Sequence, residues 1–259
     1  MPAAPAITAT MPVRDRADLL EASARSVLEQ TERDLELVIL DDGSTDATWA
    51  VAEALAAADP RVRLLRNERS VGIPAARNQL LAAARGRYFA IADSDDLWEP
   101  GAFARQRALL DADARLAGVG VRIDCFDTDP AAGTEPGWHW GLRDGRLPFA
   151  FSGAMLRTAA VREVGGFDER WPIAEDVHLC YRLAGRGGVF ATVDDVLIHI
   201  RIHAGSASVR QVRTREWCNL RAQLVGLREL RGRFSGRGYL VLIQSTLRVL
   251  LACVGVRRR

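Results

Sequence analysis

The chain has 259 residues, of which 48% are hydrophobic, and its formal net charge is +2. This length can bury one large α/β core, and the composition excludes both a disordered tail and a polytopic membrane protein. No lysine is present, which excludes a P-loop lysine and Schiff-base chemistry. The four cysteines form no CxxC pair, which argues against a zinc knuckle or a disulfide framework and fits a reducing cytosol.

The first half of the chain alternates short apolar runs with helical patterns. The predicted strands are Ala6–Met11, Leu35–Leu40, Val62–Leu65, Tyr88–Ala92 and Val119–Phe126. The predicted helices are Ala17–Gln30, Asp46–Ala58, Pro74–Ala84 and a segment that opens at Pro100 and runs to about Leu110. Strands and helices that alternate at this pace predict an α/β fold with a doubly wound, mostly parallel sheet flanked by helices.

The pattern weakens after the fifth strand. Residues 127–149 are rich in Gly, Pro and Asp, which predicts a functional loop or a disordered one. Further predicted elements are a short helix near Thr158–Val164, a helix at Glu175–Ala184, strands at Val189–Val193 and Val196–His203, and a helix from about Val209 to Leu230. The last of these opens a C-terminal helical extension.

Charge is distributed unevenly along the chain. From Arg201 onward there are thirteen arginines against two glutamates. Such a basic tail predicts peripheral contact with an anionic membrane, although a solvated basic helix has the same composition. The apolar segment Tyr239–Val256 contains Arg248, which is costly at mid-membrane, so it is expected to pack on the domain or lie in the membrane interface. The first residues do not have the pattern of a signal peptide, so we expect a cytoplasmic protein, peripheral at the inner face of the membrane.

Two acidic clusters, DDGSTD at 41–46 and DSDD at 93–96, each follow an apolar run. Because α/β proteins bind ligands beyond the carboxyl ends of parallel strands, both clusters are expected at one edge of the sheet. Carboxylates there suit a divalent cation together with a sugar-nucleotide. Asp and Ser at strand ends also form turns and helix caps, so either cluster alone is equally well explained as local structure.

Five stretches of the chain together resemble family 2 glycosyltransferases with a GT-A fold. They cover about residues 6–208 and read MPVRDRADLLEASARSVLEQT, LELVILDDGSTDAT, VGIPAARNQLLAAARGRYFAIADSDDLWEP, VGGFDERWPIAEDVHLCYRLAGRG and IRIHAGSAS. The resemblance implies an inverting transferase that takes a sugar from a nucleotide diphosphate-sugar, most often a UDP-sugar, with Mn²⁺ or Mg²⁺ as cofactor. The implied acceptor is a hydroxyl of a glycan, a lipid-linked sugar or a small metabolite, and no nucleic acid partner is expected.

The same resemblance implies a division of the chain. Residues 1–208 would form the GT-A domain, with a nucleotide-binding half at 1–126 and an acceptor-binding half at 127–208. Residues 209–259 would form the basic C-terminal helical extension.

By the resemblance, the nucleotide-sugar is held by residues at the ends of strands and on one helix. They are Pro12, Arg14, Asp41, Asp42, Arg77, Asn78, Asp93 and Ser94. The family usually carries a tyrosine and an asparagine after the strand end that contains the proline, whereas this chain has Arg14 and Asp15. A guanidinium can stack on a base as an aromatic ring does, but the departure leaves the base contact open.

The resemblance also assigns the cation and the chemistry. DSDD matches the family's DxD-type motif, in which Asp95 would be the metal ligand with Asp93 beside it. His203 matches a histidine that often reaches the metal or the diphosphate, although a lone histidine is as often structural. Glu175 and Asp176 match the family's acceptor-side ED motif. By that match, Asp176 would be the catalytic base, and Glu175 would contact the acceptor or hold Asp176 in place. The residues alone would favour a plain role in stabilising a helix N-terminus.

Three other classes of protein share parts of this pattern. A dinucleotide-dependent oxidoreductase needs a glycine-rich turn after the first strand, and MPVRDR has no glycine. A nucleotidyltransferase would bring a glycine-rich, basic phosphate loop near its N-terminus, which is also absent. A non-catalytic nucleotide-sugar or glycan-binding protein stays open, but the retention of Asp93, Asp95 and Asp176 favours an enzyme.

Overall fold

The computed structural model describes residues 4–126, 149–201, 212–232, 243, 244 and 246. Its strands form one eight-stranded sheet. The strands are β1 (Ile7–Val13), β2 (Leu35–Asp42), β3 (Val62–Asn67), β4 (Tyr88–Ile91), β5 (Leu97–Trp98), β6 (Leu116–Phe126), β7 (Met155–Arg157) and β8 (Val189–Arg201). The helices of the described ranges are α1 (Leu20–Leu28), α2 (Thr48–Ala58), α3 (Ile73–Ala83), α4 (Ala102–Ala112), α5 (Thr158–Glu163), α6 (Glu175–Gly185) and α7 (Val212–Glu229).

The sheet has the order β3-β2-β1-β4-β7-β6-β8-β5. The strands from β3 to β4 are all parallel, and so are β6 and β8. The short β7 is antiparallel to both of its neighbours, and β5 is antiparallel to β8. The predicted α/β class is therefore confirmed, with a mixed sheet in which β7 separates two parallel groups.

The apolar run of β2 explains why this strand lies near the centre of the fold. All of its residues are buried, as expected for a parallel strand that is covered on both faces. Leu37 and Ile39 pack into the core on one face of the sheet, while Val38 and Leu40 pack into the core on the other face. Alternation along one strand thus builds two hydrophobic layers, and the helices cover both.

The predicted elements occur close to their expected positions, with three differences in the sheet, the first of which is that β7 lies in a segment for which no strand is predicted. The segments Val189–Val193 and Val196–His203 were expected as separate strands, but β8 runs without interruption from Val189 to Arg201. Its pairing with β6 skips Asp194 and Asp195, which form a bulge. The two-residue strand β5 has no counterpart in the sequence prediction. The loop predicted at 127–149 and the segment predicted at Tyr239–Val256 lie almost entirely outside the described residues.

Helix α7 belongs to the predicted C-terminal extension and packs against α6. Gly226 faces the ring of Tyr181 so closely that an added Cβ would lie 2.3 Å from it. Cys218 and Ala222 join Trp171 and Ala174 in a small apolar cluster. The extension therefore begins by covering the helix that carries the predicted acid pair, while the division at residue 208 stays a prediction. Within the described ranges, the helices are too short or too polar to cross a lipid bilayer.

Candidate active site

The topology brings the ends of three strands together. Strand β1 lies between β2 and β4, with Val13 beside Asp41 and Thr10 beside Ile91. The DDGSTD and DSDD segments begin where β2 and β4 end, so they flank the carboxyl end of β1. The expected convergence of the two acidic clusters at one edge of the sheet is therefore present.

One arginine connects the DSDD turn with the acid pair of α6. Arg77, on α3, donates a hydrogen bond from Nη1 to Glu175 Oε1 at 3.0 Å. Its other terminal nitrogen, Nη2, lies 3.4 Å from Asp93 Oδ1. Carboxylates that are far apart in the chain thus share one guanidinium. The ion pairs make Arg77 the counter-charge that a cluster of acids requires.

The surroundings of Arg77 show that it is an internal residue. It is only 7% exposed, and its guanidinium lies over the rings of Phe151 and Phe167 at 5.1 and 5.7 Å. Burial opposes its charge, but Glu175 and the other nearby acids outweigh burial and hold the pKa of Arg77 above its ordinary value. The sequence predicted that Arg77 faces the nucleotide, whereas the structure places its guanidinium between acids of the protein itself. A direct nucleotide contact stays a prediction.

The acid pair begins α6 after a residue in an unusual conformation. Ala174 has φ +62°, the left-handed region that non-glycine residues rarely occupy, and such strain often marks functional sites. Burial raises the pKa of Glu175 to about 7 and also raises the pKa of Asp176. Asp176 Oδ1 accepts a hydrogen bond from the N–H of Val177 at 2.7 Å. A carboxylate whose pKa is raised toward neutrality is a stronger base, which is the property that proton abstraction needs.

The carboxylates of the DSDD turn contact different partners. Asp93 accepts a hydrogen bond from Ser152 Oγ at 2.6 Å in addition to its contact with Arg77. Asp96 accepts one from the N–H of Arg201, and burial with the neighbouring Asp93 and Asp95 raises its pKa to about 9. Asp95 Oδ2 lies 3.9 Å from Arg16 Nε, and its side chain is 19% exposed. Asp96 therefore links the turn to the end of β8, and Asp95 lies near Arg16, which follows β1 in the chain.

The two aspartates at the end of β2 differ in their environment. Asp41 is fully buried, accepts a hydrogen bond from the N–H of Ser44 and has Arg66 Nε 3.5 Å from its Oδ2. Asp42 accepts hydrogen bonds from Asn67, Ser70, Val71 and Gly72, at distances between 2.6 and 3.2 Å. The carboxylate of Asp42 thus organises the loop that leads into α3. Its predicted contact with the nucleotide stays a prediction.

Replacing Asp42 by asparagine is expected to lower the free energy of unfolding by about 2 kcal/mol, because hydrogen bonds to a charged group contribute about 1.5–3 kcal/mol. Burial acts to raise the pKa of Asp42, but its hydrogen bonds outweigh burial and hold the pKa below the ordinary value. The stabilisation that the ionised Asp42 carboxylate provides is therefore present above about pH 4. It is lost as the pH falls through the unfolded and then the folded pKa of this group.

Urea unfolding of D42N and the parent protein over this pH range measures the effect. Asp18→Asn is the matched control, since Asp18 is exposed on the surface. Equal stability of D42N and D18N at neutral pH would show that the loop does not depend on this carboxylate.

The remaining predicted donor-site residues lie near the same edge. Asn78 hydrogen bonds through both amide atoms with the backbone of Phe167, so it fixes the loop before α6. Pro12 is half-buried at the end of β1, Ser94 is buried in the DSDD turn, and the Arg14 side chain is 55% exposed. His203 lies outside the described residues.

Sequence reasoning missed several residues that shape this site. Ser152 and Phe151 belong to a single 3-10 turn at 151–153, which carries no chemical motif and was recognised only as part of an ordered segment. Phe167 lies in the GGFDE segment, which is part of the family resemblance. The resemblance does not indicate that this side chain contacts Arg77. These residues could have been found only by knowing that β7 is inserted beside β4, which places the turn against Asp93.

Acids of the DSDD turn and of α6 thus converge on a buried arginine, and the acids at the end of β2 lie at the same carboxyl edge of the sheet. This arrangement defines a polar ligand site of the kind that such sheets carry. The family model described as "Glycosyl transferase family 2" matches residues 8–156, more than half of the chain. The chain belongs to this family and is a glycosyltransferase.

Named relatives and solved structures agree with this assignment. WfaP of Escherichia coli, named a UDP-Glc:alpha-D-GlcNAc-diphosphoundecaprenol beta-1,3-glucosyltransferase, is 27% identical over 75% of this chain and 76% of that protein. The mannosyltransferase PcManGT from Pyrobaculum calidifontis, solved in complex with GDP-Man and Mn²⁺, is 21% identical with a TM-score of 0.71, over 100% of this chain and 77% of that one. TarS 1–349 of S. aureus, in complex with UDP-GlcNAc, is 16% identical with a TM-score of 0.70. The match covers 94% of this chain and 71% of the TarS chain. The predicted GT-A fold is confirmed by these likenesses.

Proposed function

We propose that this glycosyltransferase moves a sugar from a nucleotide diphosphate-sugar to an acceptor hydroxyl, with inversion at the anomeric carbon. The observation that carries the proposal is the pair of contacts that Arg77 makes, with Asp93 on one side and Glu175 on the other. These contacts bring the DSDD turn next to the acid pair of α6, and we assign the turn to the donor side and the pair to the acceptor side. A direct displacement needs both sets of groups around one reacting carbon.

A nucleotide diphosphate-sugar as donor is supported by the complexes of PcManGT with GDP-Man and of TarS with UDP-GlcNAc, and by the UDP-Glc in the name of WfaP. In this chain the base would lie near the ends of β1 and β2, beside Pro12, Arg14 and Asp41. Asp41 is covered by Arg66, whose side chain is 49% exposed and rests on Trp49, so a base that reaches this carboxylate displaces the guanidinium. A UDP-sugar is the donor we favour.

The acids of the DSDD turn fit a hard divalent cation such as Mn²⁺ or Mg²⁺. Among the described residues, no group of three or more His, Cys, Asp or Glu is arranged to hold a metal ion. Mg²⁺ is often bound through one or two carboxylates together with substrate phosphates, and Asp95 with the donor diphosphate would form such a site. Asp93 would stand beside it, and His203 would add a nitrogen ligand. A cation bound there would stabilise the negative charge on the departing diphosphate.

The residues of α6 supply the acid–base part of the reaction. Asp176 would accept the proton of the acceptor hydroxyl as that oxygen attacks the anomeric carbon. Glu175, held by Arg77, would orient the acceptor or its neighbour Asp176. The bond to the nucleotide diphosphate breaks on the opposite side, so one displacement inverts the configuration at this carbon.

The first experiment is a thermal-shift screen of nucleoside diphosphates with and without Mn²⁺, because a ligand that binds the native state raises its melting temperature. Asp95→Asn is expected to weaken cation-dependent binding of the best nucleotide by about 100-fold or more, since even changes beyond the direct ligands cost 10- to 100-fold. Glu53→Gln, an exposed acid on α2, is the control.

Two results separate the proposal from the alternatives. Cation-dependent binding in D95N that equals binding in E53Q would remove Asp95 from the site. Tight binding of a nucleotide-sugar without any release of nucleoside diphosphate, across a panel of acceptors, would favour a non-catalytic binding protein.

A lipid-linked or membrane-proximal acceptor is the acceptor class that we favour. WfaP is named for a diphosphoundecaprenol acceptor. In this chain, Trp217 and Leu224 on α7 are 52% and 51% exposed. Arg221 lies between them in the sequence, Arg228 follows them, and both arginines are exposed. An exposed helix face that mixes aromatic, aliphatic and basic residues suits the interface of an anionic membrane. Co-sedimentation with phosphatidylglycerol vesicles tests this contact, and equal recovery with phosphatidylcholine vesicles would contradict it.

A further inference from the structure

A second concave site lies between α6, α7 and the loop before α6, with Asn78 of α3 also in its lining. This cavity has a volume of about 740 Å³. Its lining includes Trp171, His178 and four arginines, of which Arg170 pairs with Asp168 and the other three are Arg182, Arg221 and Arg228. None of these arginines, nor Trp171 or His178, belongs to the acidic motifs or to the predicted donor and metal sites.

Most of the acids in this cavity are already engaged by other side chains. Asp168 accepts two hydrogen bonds from Arg170, at 2.9 and 2.7 Å, and Glu169 accepts one from Asn78. Within the part of the chain that the structure describes, no carboxylate lies within 4 Å of the guanidinium groups of Arg182, Arg221 or Arg228. Glu229 is the other acid of the lining. The cavity therefore has an excess of positive charge on side chains that are suited to binding phosphate.

His178, which also lines the cavity, carries a buried polar atom. His178 is 6% exposed, and its Nδ1 has no hydrogen-bond partner among the described residues. Its ring is stacked on Trp171 at 4.5 Å, and Arg221 lies over the same indole at 4.6 Å. Burial lowers the pKa of His178 to about 4, so the ring is neutral at neutral pH and has one N–H to donate. A buried polar atom without a partner is costly, so this ring has hydrogen-bonding capacity that the described residues leave unused.

We propose that this cavity binds a phosphate or diphosphate group, held by the guanidinium groups of Arg221 and Arg228 and approached by the ring of His178. His178 follows Glu175 by three residues on α6, so the anion binds on the acid-pair side of the protein and not at the DSDD turn. The group belongs either to a free phosphorylated molecule or to a phospholipid headgroup. The proposal rests on this cavity alone and does not depend on the donor or on transfer.

Inorganic pyrophosphate is the probe, and isothermal titration calorimetry in EDTA excludes binding through a divalent cation. The intact chain is expected to bind it saturably. The double variant Arg221→Gln/Arg228→Gln is expected to bind it about tenfold more weakly or worse, which corresponds to the loss of charge-assisted hydrogen bonds. Arg231→Gln removes one exposed arginine just beyond α7, outside the lining, and is expected to bind as the parent does.

Asp95→Asn separates this cavity from the donor site, and binding by D95N is expected to equal that of the parent. Three results would overturn the proposal: no binding by the intact chain at millimolar pyrophosphate, equal losses in R231Q and in the double variant, or binding that changes only in D95N. A transfer-inactive protein that still binds pyrophosphate here would contradict the proposed function and support the cavity. Because the two substituted arginines are exposed, the double variant is expected to keep the parent's melting temperature, which checks its fold.

Vesicles of phosphatidylglycerol identify the source of the phosphate. If the double variant loses both pyrophosphate binding and vesicle recovery, and pyrophosphate competes with vesicles for the parent, the group is a lipid headgroup. If the double variant loses pyrophosphate binding alone, the ligand is a free phosphorylated molecule. Both results support the site, whereas a double variant that behaves as the parent with both probes overturns it.

Discussion

Replacing Asp176 by asparagine is expected to lower the rate of sugar transfer by about 10²–10⁴-fold, the usual contribution of a positioned general base. Binding of the nucleotide-sugar is expected to be unchanged. Asparagine has nearly the same shape, and its side-chain oxygen can still accept the hydrogen bond from the N–H of Val177. The variant therefore removes proton acceptance with little change in the local structure.

The environment of Asp176 explains why this residue, and not one of the other acids, is expected to carry the largest effect. Asp42 is occupied by four hydrogen bonds, and Asp93 is held by Arg77 and Ser152. Burial raises the pKa of Asp176, which makes its carboxylate a stronger base. The neighbouring charges of Arg77 and Asp93 also act on its carboxylate.

The measurement is the rate of nucleoside diphosphate release with the nucleotide-sugar that the thermal-shift screen identifies, together with the affinity for that donor. Asp194→Asn is the control, because the Asp194 side chain is 88% exposed on β8. A transfer rate in D176N equal to that in D194N would show that another group accepts the proton. A loss of donor affinity equal to the loss of rate would show that Asp176 acts in binding.

The central strands were predictable because buried parallel strands leave a clear signal in one segment of sequence. The runs that form β1, β2 and β4 are mostly apolar and almost entirely buried. Strand β5 contains only two residues, too few for any periodicity. In β8, the bulge at Asp194–Asp195 places two acids inside a strand, and two adjacent acids in sequence resemble a turn.

The sequence predicts which residues belong to the candidate site, but not which of them contact one another. The acids of the DSDD turn and of α6 are recognised by a resemblance that covers about residues 6–208. The bond between Arg77 and Glu175 joins residues 98 positions apart, and no local pattern records such a pair. For the same reason, the sequence could not show that Asp42 holds a loop or that Asn78 is bonded to Phe167.

Replacing Arg77 by methionine is expected to lower the free energy of unfolding by about 3–5 kcal/mol at neutral pH, the usual cost of removing one partner from a buried ion pair. Methionine fills most of the space and keeps contact with Phe151 and Phe167, so packing loss is a minor part of the cost. The main part is electrostatic, because Glu175 and Asp93 are left without the charge that they share.

The pH dependence of this variant gives a second, independent readout. Glu175 has a folded pKa of about 7, raised above its unfolded value by burial and held down in part by Arg77. A carboxyl group whose pKa is higher in the folded than in the unfolded protein stabilises the fold at low pH. This contribution is lost as the pH rises from the unfolded pKa through the folded pKa. Without Arg77 this pKa rises further, so the loss continues to higher pH. The cost of Arg77→Met is therefore expected to be larger at about pH 8.5 than at about pH 6.

Urea unfolding of Arg77→Met, Glu175→Gln and the double variant at these two pH values forms a double-mutant cycle. The double variant is expected to regain part of the stability that Arg77→Met loses, because a neutral glutamine needs no counter-charge. The control is Arg25→Met on α1, since Arg25 pairs with Glu21 on the exposed surface and should cost at most about 0.5 kcal/mol. A cost in R77M that is as small as in R25M, or one that does not change with pH, would mean that Arg77 and Glu175 are not coupled in solution, and the link between the DSDD turn and the acid pair of α6 would then be lost.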